Sequence, residues 1–280
     1  MGIKFVKMHG CGNDYVYINC FDQNVIDPEN LSILLSDRRY GIGGDGIILI
    51  NPSNKADAFM RIFTKDGSEG KMCGNGIRCV AKYLYDVGIS KDLKNIKIET
   101  LSGVKTVEIL ENIGNKALVR VDMGIAELDP LKVPVISSEE KVINQPITVN
   151  GGVYNITCVS MGNPHAVMFF EEIYSVNIKE IGSKLSANRM FPDGVNVEFV
   201  SVCDESNIEM RVWERGSGET LACGSGACAA VVAAVENGLC KKNEDITVNL
   251  RGGKLVVDYS ENGVFMTGNA VKVFEGEVEL

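Results

Sequence analysis

The sequence predicts an α+β protein built from two similar halves, each a strand-rich sheet wrapped around one central helix. Two observations support this fold class: a set of motifs recurs about 150 residues further along the chain, and short strand-like segments greatly outnumber helical ones. With 280 residues the chain suits two domains of ordinary size, each large enough to bury a core. We therefore expect an internal duplication that produces two pseudo-symmetric domains.

The strand-like segments are short, rich in β-branched and aromatic residues, and separated by Gly, Asn and Asp. In the first half they are FVKMHG, YVYIN, GIILI, AFMRIF, IKIET and KTVEIL. In the second half they are YNITCVS, AVMFF, NVEFV, IEMRVW, ITVNL and KLVVDY. Because strands greatly outnumber helices, the pattern favours an α+β fold over a doubly wound sheet.

Two segments are expected to be helical, residues 75–87 and residues 225–236, each directly after a Cys-Gly-X-Gly turn. The second, in SGACAAVVAAVEN, is apolar on nearly every face. A helix that is apolar all round is buried. Each half therefore has one candidate central helix.

The repeat has a constant offset and needs no gap from its first member to its last. Asn13 in GCGNDY corresponds to Asn163 in SMGNPH, and CGNG at 73–76 corresponds to CGSG at 223–226. Between them, Arg61 and Glu69 of the first half meet Arg211 and Glu219 of the second. A period this long is a domain and not a solenoid unit.

Composition and charge restrict the possible partners. The net charge is −9, with 45% apolar and 23% charged residues, which is ordinary for a globular protein. The negative charge argues against nucleic acid or an anionic membrane as a main partner. The N-terminus lacks the apolar core of a secretion signal, and the longest apolar run, around GACAAVVAAV, is too short to span a bilayer. We expect a cytoplasmic protein.

The nine cysteines indicate neither a disulfide framework nor a structural zinc site. Their number is odd, no C-x-x-C occurs, and the chain has only two histidines. Four of them are expected to be small buried apolar residues: Cys20, Cys158, Cys203 and Cys240. Cys11 lies in a glycine-flanked turn, and the sequence leaves its role open.

Cys73 and Cys223 are the strongest candidates for chemistry. A cysteine just ahead of a helix lies in the positive field of the helix N-terminus, which favours the thiolate and should lower its pKa. The following glycines expose N–H groups that can bind a carboxylate. Two such turns facing one carbon would allow one thiolate to remove a proton while the other thiol delivers one, which inverts an amino-acid α-carbon. The alternative is two ordinary helix starts with buried cysteines.

At these residues the chain resembles the diaminopimelate epimerases. The resemblance is carried by MHGCGNDY, RIFTKDGSEGKMCGNGIRC, SMGNPH, GVNVEF and ERGSGETLACGSGACA, and it covers essentially the whole chain. It implies epimerisation of LL-2,6-diaminopimelate to the meso isomer, on the route to lysine and peptidoglycan, with no pyridoxal phosphate and no metal. It also implies a β-roll or barrel-like sheet around each helix, an active site in the cleft between the domains, and a homodimer.

The resemblance also implies domain boundaries, because the last strand of such enzymes returns to the first domain. The predicted N-terminal domain is 1–118 plus 265–280, and the predicted C-terminal domain is 119–264. Cys73 belongs to the first and Cys223 to the second.

The family's functional residues map onto this chain through the shared motifs. The implied catalytic pair is Cys73 and Cys223, and His165 with Glu214 is implied to tune their pKa. The implied contacts with a small amino-acid substrate are Asn13, Gly74, Asn75, Asn163, Asn196, Glu214, Arg215, Gly224 and Ser225. Arg215 suits a bidentate grip on the distal carboxylate, and Glu214 suits the distal ammonium.

Two positions depart from the family pattern. Many relatives have asparagine where this chain has Thr64, and threonine lacks the amide donors, so a substrate hydrogen bond there is in doubt. Some relatives have glutamine where this chain has Gly46, so we assign that position no side-chain role.

Three other functions share parts of this pattern. Proline racemases use the same two-cysteine logic, but their substrates have no distal amino-acid group for Glu214 and Arg215 to bind. Phenazine-type isomerases of similar shape lack the cysteine pair that this chain has. A redox-sensing cysteine protein would be oxidised reversibly without turning over any amino acid.

Overall fold

A computed structural model describes residues 2–279 and divides the chain into two compact units. Unit 1 comprises Met1–Asp122 and Thr267–Leu280, and unit 2 comprises Met123–Met266. The units meet at residues 122/123 and 266/267, a few residues from the domain boundaries that the family resemblance implies. Both points lie inside long strands, Lys116–Gly124 and Gly263–Glu279, and not in linkers. Residues 1 and 280 of the expected N-terminal domain lie outside the described residues.

Unit 1 is built on a sheet that closes on itself. Its strands are β1 (Gly2–Gly10), β2 (Asn13–Asn19), β3 (Gly46–Asn51), β4 (Ala58–Thr64), β5 (Glu69–Gly70), β6 (Ile96–Thr100), β7 (Gly103–Ile113), β8 (Lys116–Gly124) and, from the end of the chain, β17 (Gly263–Glu279). They pair in the order β17–β1–β2–β3–β4–β6–β7–β8, and β8 pairs back to β17. This is a barrel of eight strands, with short β5 alongside β4.

Unit 2 repeats this arrangement. Its strands are β9 (Gln145–Val149), β10 (Gly152–Ser160), β11 (Pro164–Phe169), β12 (Asn196–Asp204), β13 (Asn207–Glu214), β14 (Gly218–Thr220), β15 (Asp245–Leu250) and β16 (Gly253–Ser260). They pair in the order β9–β10–β11–β12–β13–β15–β16, with short β14 alongside β13.

The strand order confirms the internal duplication. In unit 1 the parallel pairs are β2–β3 and β4–β6, and in unit 2 they are β11–β12 and β13–β15, at corresponding places in each sheet. The other pairings whose register is described, β8–β17 thus excepted, are antiparallel. The α+β class with a sheet around a helix, expected from the sequence, is confirmed.

Four helices are present among the described residues: α1 (Pro28–Ser36), α2 (Gly74–Asp86), α3 (Ile178–Ser186) and α4 (Gly224–Glu236). The predicted helices 75–87 and 225–236 are confirmed as α2 and α4. α2 packs against β1, β2 and β7, and α4 packs against β10, β12 and β16. Every residue of α4 from Ala227 to Ala234 is buried, as its apolar sequence predicts.

The sequence analysis missed α1 and α3, which also correspond to each other across the repeat. Each has an N-cap side chain that accepts a backbone N–H three residues later, Asp27 from Asn30 and Asn177 from Glu180. Each helix is only nine residues long and buries one face against its sheet. The capping residues were the signal that could have identified them.

The cysteine predictions are partly wrong. Cys158 and Cys240 are buried as expected, and Cys20 is half-buried, but Cys203 is exposed on β12. The error arises because Cys203 lies near the end of its strand, beyond the residues that the core covers. Within residues 2–279 no helix is both long and apolar enough to cross a membrane.

Candidate active site

Cys73 is the N-cap of α2, and its sulfur takes part in two hydrogen bonds within unit 1. Cys73 has extended backbone geometry (φ −135°), and its Sγ accepts from the backbone N–H of Gly76 at 3.3 Å. The thiol donates to Oδ1 of Asn13, also at 3.3 Å. The sulfur is half-buried. The predicted pairing of this cysteine with a helix N-terminus is therefore present.

Asn13 and Asn75 surround this cysteine, and each is held by a charged residue that the sequence analysis missed. Nδ2 of Asn13 donates to Oδ2 of Asp45 at 2.8 Å. Oδ1 of the buried Asn75 accepts from Nη2 of Arg78 at 2.8 Å. Arg78 is fully buried one turn into α2, where its Nη1 also donates to the carbonyl of Gly74 at 3.0 Å.

Cys11 is a buried residue of the β1–β2 turn, in left-handed backbone geometry (φ 53°). Its Sγ accepts from Nη2 of Arg78 at 3.8 Å. Burial raises the pKa of the Cys11 thiol, and the nearby guanidinium opposes that change.

Cys223 repeats the local geometry of Cys73 in unit 2. It is the N-cap of α4 (φ −123°), and its Sγ accepts from the backbone N–H of Gly226 at 3.3 Å. The hydroxyl of Ser225 lies 3.5 Å from the sulfur. Unlike Cys73, this cysteine is buried. The two units therefore share the cysteine N-cap but differ in how deeply the cysteine is buried.

The expected lowering of the thiol pKa is wrong for Cys223. Burial raises the pKa of this thiol well above its usual value, and the negative charges of Glu214 and Glu198 raise it further. The hydrogen bonds from Ser225 and from the Gly226 N–H act in the opposite direction but do not outweigh burial. Because its pKa is raised, Cys223 is a protonated thiol near neutral pH, and a protonated thiol can act as a proton donor.

His165 is paired with Glu198, a residue that the sequence analysis did not name. Nδ1 of His165 lies 2.7 Å from Oε1 of Glu198, and both side chains are fully buried. Nε2 of His165 lies 3.2 Å from Oδ1 of Asn163. The negative charge of Glu214 acts, after burial, to raise the pKa of the Cys223 thiol. The role of His165 in tuning the cysteines stays a prediction.

Glu198 was missed, although the sequence contained a signal for it. It stands in the motif GVNVEF between apolar residues of β12, and a carboxylate in a buried strand needs a partner. Its partner lies on β11, which runs parallel to β12 with His165 opposite Asn196. Only the strand register brings the two side chains together.

Arg215, Glu214 and Asn196 lie together where β12 begins and β13 ends. Oδ1 of Asn196 accepts the backbone N–H of Arg215 at 3.0 Å. The exposed Arg215 guanidinium donates to the carbonyl of Asp193 at 2.6 Å, and Oε1 of Glu214 accepts from the hydroxyl of Thr220. Unit 2 thus gathers a cation, a carboxylate and an amide in one place.

The two departures from the family pattern have clear surroundings. The hydroxyl of Thr64 is tied to its own turn, through Asp66 at 2.5 Å and Ser68 at 2.7 Å. Gly46 starts β3 so close to the next strand that an added Cβ would lie 2.0 Å from the carbonyl oxygen of Phe63. No side chain fits at Gly46, which agrees with assigning it no side-chain role.

The structure therefore brings the expected site residues together in two groups, one in each unit. Unit 1 gathers Asn13, Cys73, Gly74 and Asn75, and unit 2 gathers Asn163, His165, Asn196, Glu214, Arg215, Cys223, Gly224 and Ser225. Each contact described above joins residues of the same unit. The expected cleft between the domains stays a prediction.

Comparisons with known proteins agree on one family. The sequence model of the family described as "Diaminopimelate epimerase" matches residues 5–128 and 157–273. A diaminopimelate epimerase from Acetivibrio thermocellus is 50% identical over 281 residues, which cover 99% of this chain and 99% of that protein. Another, from Methanococcus maripaludis, is 47% identical over 280 residues, covering 99% of this chain and 100% of that protein.

Solved structures share the fold at much lower sequence identity. A probable proline racemase from Agrobacterium radiobacter has a TM-score of 0.75 at 17% identity, covering 99% of this chain and 93% of that one. A PhzF-family phenazine biosynthesis protein from Bacillus anthracis has a TM-score of 0.71 at 16% identity, covering 100% of both chains. These structural likenesses show the fold, whereas the full-length sequence matches show the family. The chain belongs to the diaminopimelate epimerase family.

Proposed function

We propose that this protein interconverts LL-2,6-diaminopimelate and meso-diaminopimelate by moving protons between cysteine sulfurs and one α-carbon. The observation that carries the proposal is the pair of N-cap cysteines at corresponding places of a duplicated fold. Relatives named diaminopimelate epimerase match nearly the whole chain at 47–50% identity, which supports this substrate.

The proposed reaction uses one sulfur as base and the other as acid. In one direction a thiolate removes the α-proton, and the electron pair of the C–H bond remains on the α-carbon as a carbanion. The other thiol then gives its proton to the opposite face of that carbon. The reverse reaction exchanges the roles of Cys73 and Cys223. Protons balance because one sulfur gains the proton that the other loses.

The first turns of α2 and α4 support binding of the α-carboxylate. The N–H groups of a first helical turn have no intrahelical acceptor, and the field of the helix favours an anion there. In both helices the third N–H, of Gly76 or Gly226, is taken by the cysteine sulfur. The N–H groups of Gly74, Asn75, Gly224 and Ser225 are the ones we assign to the carboxylate.

The other end of the substrate is assigned to unit 2. Arg215 supplies a guanidinium for the distal carboxylate, and Glu214 supplies a carboxylate for the distal ammonium. Asn163 and Asn196 add amide groups that can bind either charged group. A substrate without a second amino-acid group would leave Arg215 and Glu214 unused, which favours diaminopimelate over proline.

The remaining parts of the proposal concern the setting of the enzyme. We propose that it acts in lysine and peptidoglycan precursor biosynthesis in the cytoplasm, as a homodimer, without pyridoxal phosphate or metal. Analytical ultracentrifugation would test the dimer. Equal activity after dialysis against a chelator, and before and after addition of pyridoxal phosphate, would test the cofactor statement.

A turnover assay in deuterated water tests the reaction itself. We expect early meso product to carry deuterium at the inverted carbon, while unreacted LL substrate carries little, because the delivering thiol exchanges with water before substrate binds. Proline and hydroxyproline serve as substrate controls and should not react. No turnover of diaminopimelate, or equal label in substrate and product, would contradict the proposed mechanism.

A further inference from the structure

The two asparagines that correspond across the repeat, Asn13 and Asn163, are held by different groups. Both follow a glycine in a turn between two strands: Asn13 begins β2, and Asn163 directly precedes β11. Asp45, which contacts Asn13, corresponds to Val195, and His165, which contacts Asn163, corresponds to Tyr15. The amide orientations can therefore differ even though the backbone is repeated.

In unit 1 the amide of Asn13 has its nitrogen fixed. Nδ2 donates to Oδ2 of Asp45 at 2.8 Å, and Asp45 is itself held by Arg38 at 3.1 Å. The amide oxygen consequently points the other way, where it accepts from the Cys73 sulfur at 3.3 Å. Asn13 therefore presents an acceptor beside the catalytic candidate Cys73.

In unit 2 the amide of Asn163 has its oxygen fixed. Oδ1 lies 3.2 Å from Nε2 of His165, and a carbonyl oxygen can only accept, so Nε2 donates. Nδ2 of Asn163 has no hydrogen-bond partner among the described residues, 2–279, so its two N–H groups remain available. Asn163 therefore presents a donor, opposite in sense to Asn13.

The contact of His165 with Glu198 fixes which ring nitrogen faces Asn163. Nδ1 of His165 and Oε1 of Glu198 are 2.7 Å apart, and both side chains are fully buried. This contact leaves Nε2 on the side of Asn163. Oε2 of Glu198 has no hydrogen-bond partner in the described part of the chain, so the contact with His165 matters the more for this buried carboxylate.

Unit 1 cannot form this pair, because the corresponding residues are Tyr15 and Ile48. The difference reaches the central helices. A Cβ on Gly76 would lie 2.6 Å from Cδ1 of Ile48, whereas a Cβ on Gly226 would lie 2.7 Å from Oε1 of Glu198. The side chain that packs against the first turn of the central helix is thus the apolar Ile48 in unit 1 and the ionisable Glu198 in unit 2.

We propose that Asp45 and Glu198 are positioning residues that fix Asn13 and Asn163 with opposite amide groups toward the ligand. Asp45 leaves the oxygen of Asn13 to accept from a thiol or an ammonium group. Glu198, through His165, leaves the nitrogen of Asn163 to donate to a carboxylate. Only the identity of the ligand rests on the proposed function.

The proton on Nε2 of His165 can be observed directly, without any substrate. The chain has only two histidines, His9 and His165, so ¹⁵N-histidine labelling gives a simple spectrum, and a His9→Gln variant assigns it. At neutral pH we expect Nε2 of His165 to bear hydrogen in the wild-type protein. A bare Nε2 on His165 would overturn the proposal. This result does not depend on whether the protein epimerises anything.

Kinetics of two variants then test whether the orientations matter. Asp45→Ala releases the Asn13 nitrogen, and Glu198→Gln lets the His165 ring adopt either tautomer, so each should lower kcat/KM by about tenfold to a hundredfold. The loss should fall mainly on kcat in Asp45→Ala, because Asn13 faces Cys73, and mainly on KM in Glu198→Gln, because Asn163 contacts a bound group.

Glu99→Gln is the matched control, because it makes the same change on a strand of unit 1 that holds no site residue, and it should keep wild-type kinetics. Wild-type kinetics in both Asp45→Ala and Glu198→Gln would overturn the proposal. So would the same kind of change in both variants, either a lowered kcat in each or a raised KM in each. If Glu198→Gln fails to fold, Asp45→Ala and the wild-type spectrum still decide the matter. An inactive wild-type protein with a protonated Nε2 would refute the proposed function and leave the positioning intact.

Discussion

Cys73 and Cys223 cap their helices in the same way but lie in different electrostatic surroundings. Each sulfur accepts an N–H from the third residue of its helix at 3.3 Å. Cys73 is half-buried, whereas Cys223 is buried beside two carboxylates. The helix field favours a thiolate at both, but burial and like charge outweigh it at Cys223. Two residues with one local geometry therefore differ in burial and in the charges beside them.

Removal of either sulfur should abolish epimerisation. Cys73→Ala and Cys223→Ala each remove a group that must act once in every turnover, so activity should fall by at least about 10² to 10⁴. Serine at either position keeps the shape but is a much weaker base, and little activity should survive. The measurement is turnover of LL-diaminopimelate, with Cys203→Ser as the control that keeps activity. Near-normal epimerisation by Cys223→Ala would refute the paired mechanism.

The pKa of Cys223 should respond to Glu214. Because the negative charge of Glu214 raises this pKa, Glu214→Gln should lower it, and alkylation of Cys223 at a fixed neutral pH should become faster. In the wild-type protein the rate should rise with pH, since only the thiolate reacts. Mass spectrometry after limited iodoacetamide treatment measures both, and the exposed Cys203 is an internal reference. An unchanged pH profile in Glu214→Gln would contradict the assigned cause.

At the scale of single elements, α2 is tied to its barrel by a buried charge that α4 does not have. Arg78 on α2 donates to the carbonyl of Asn269 on β17 at 3.2 Å and to the carbonyl of Gly74 at 3.0 Å. The corresponding residue of α4 is Cys228, which is fully buried. α2 is thus positioned in part by hydrogen bonds of a buried guanidinium, whereas the residues of α4 from Ala227 to Ala234 are apolar and all buried.

Arg78→Met should destabilise the protein by at least about 2 kcal/mol. The change removes the guanidinium, which donates to the amide oxygen of Asn75 and to the carbonyls of Gly74 and Asn269. The buried amide oxygen of Asn75 then lacks this charged donor. Urea unfolding gives the free energy of unfolding, and Arg39→Met, at an exposed position, is the control that should change little. Equal midpoints for the two variants would contradict this prediction.

The third residues of α2 and α4 offer a matched pair of substitutions. Alanine normally stabilises a helix relative to glycine by about 1 kcal/mol. Gly226→Ala should instead be the more damaging change, because the new methyl would push Oε1 of Glu198 away from His165 and break a buried pair. A Cβ on Gly76 would come too close to the flexible end of Ile48, at 2.6 Å, but would lie at ordinary contact distance from Cys73, at 3.4 Å or more. Thermal unfolding and kcat/KM of the two variants measure the difference, and a less stable Gly76→Ala would contradict it.

At the scale of the whole molecule, the proposed reaction sets a distance that a ligand complex can check. Both sulfurs must reach one carbon from opposite sides, at roughly 3 to 3.5 Å each. In a crystal structure with a bound substrate analogue, the sulfurs of Cys73 and Cys223 should lie on the order of 6 to 7 Å apart. Sulfurs that stay far from one another with ligand bound would end the two-sulfur mechanism.

The sequence predicted what is local and repeated, and it missed what depends on register. The capped helices after Cys73 and Cys223 follow from neighbouring residues, so they could be predicted. The pairing of His165 with Glu198 depends on how β11 and β12 align, which a single sequence does not reveal. The raised pKa of Cys223 depends on burial by distant segments. The short helices α1 and α3 were missed because only their caps distinguish them from loops.

The return of β17 to β1 has a consequence for how the chain is made. Unit 2 is one continuous stretch, residues 123–266, whereas unit 1 also needs the strand that follows unit 2 in the chain. Unit 1, although its chain emerges first, lacks the partner of β1 until residues 271–279 are translated. During synthesis β1 therefore stays an edge strand until the end of the chain is made, and such an edge is open to pairing with other chains. Unit 1, although its chain is made first, cannot close its barrel before unit 2 has been translated.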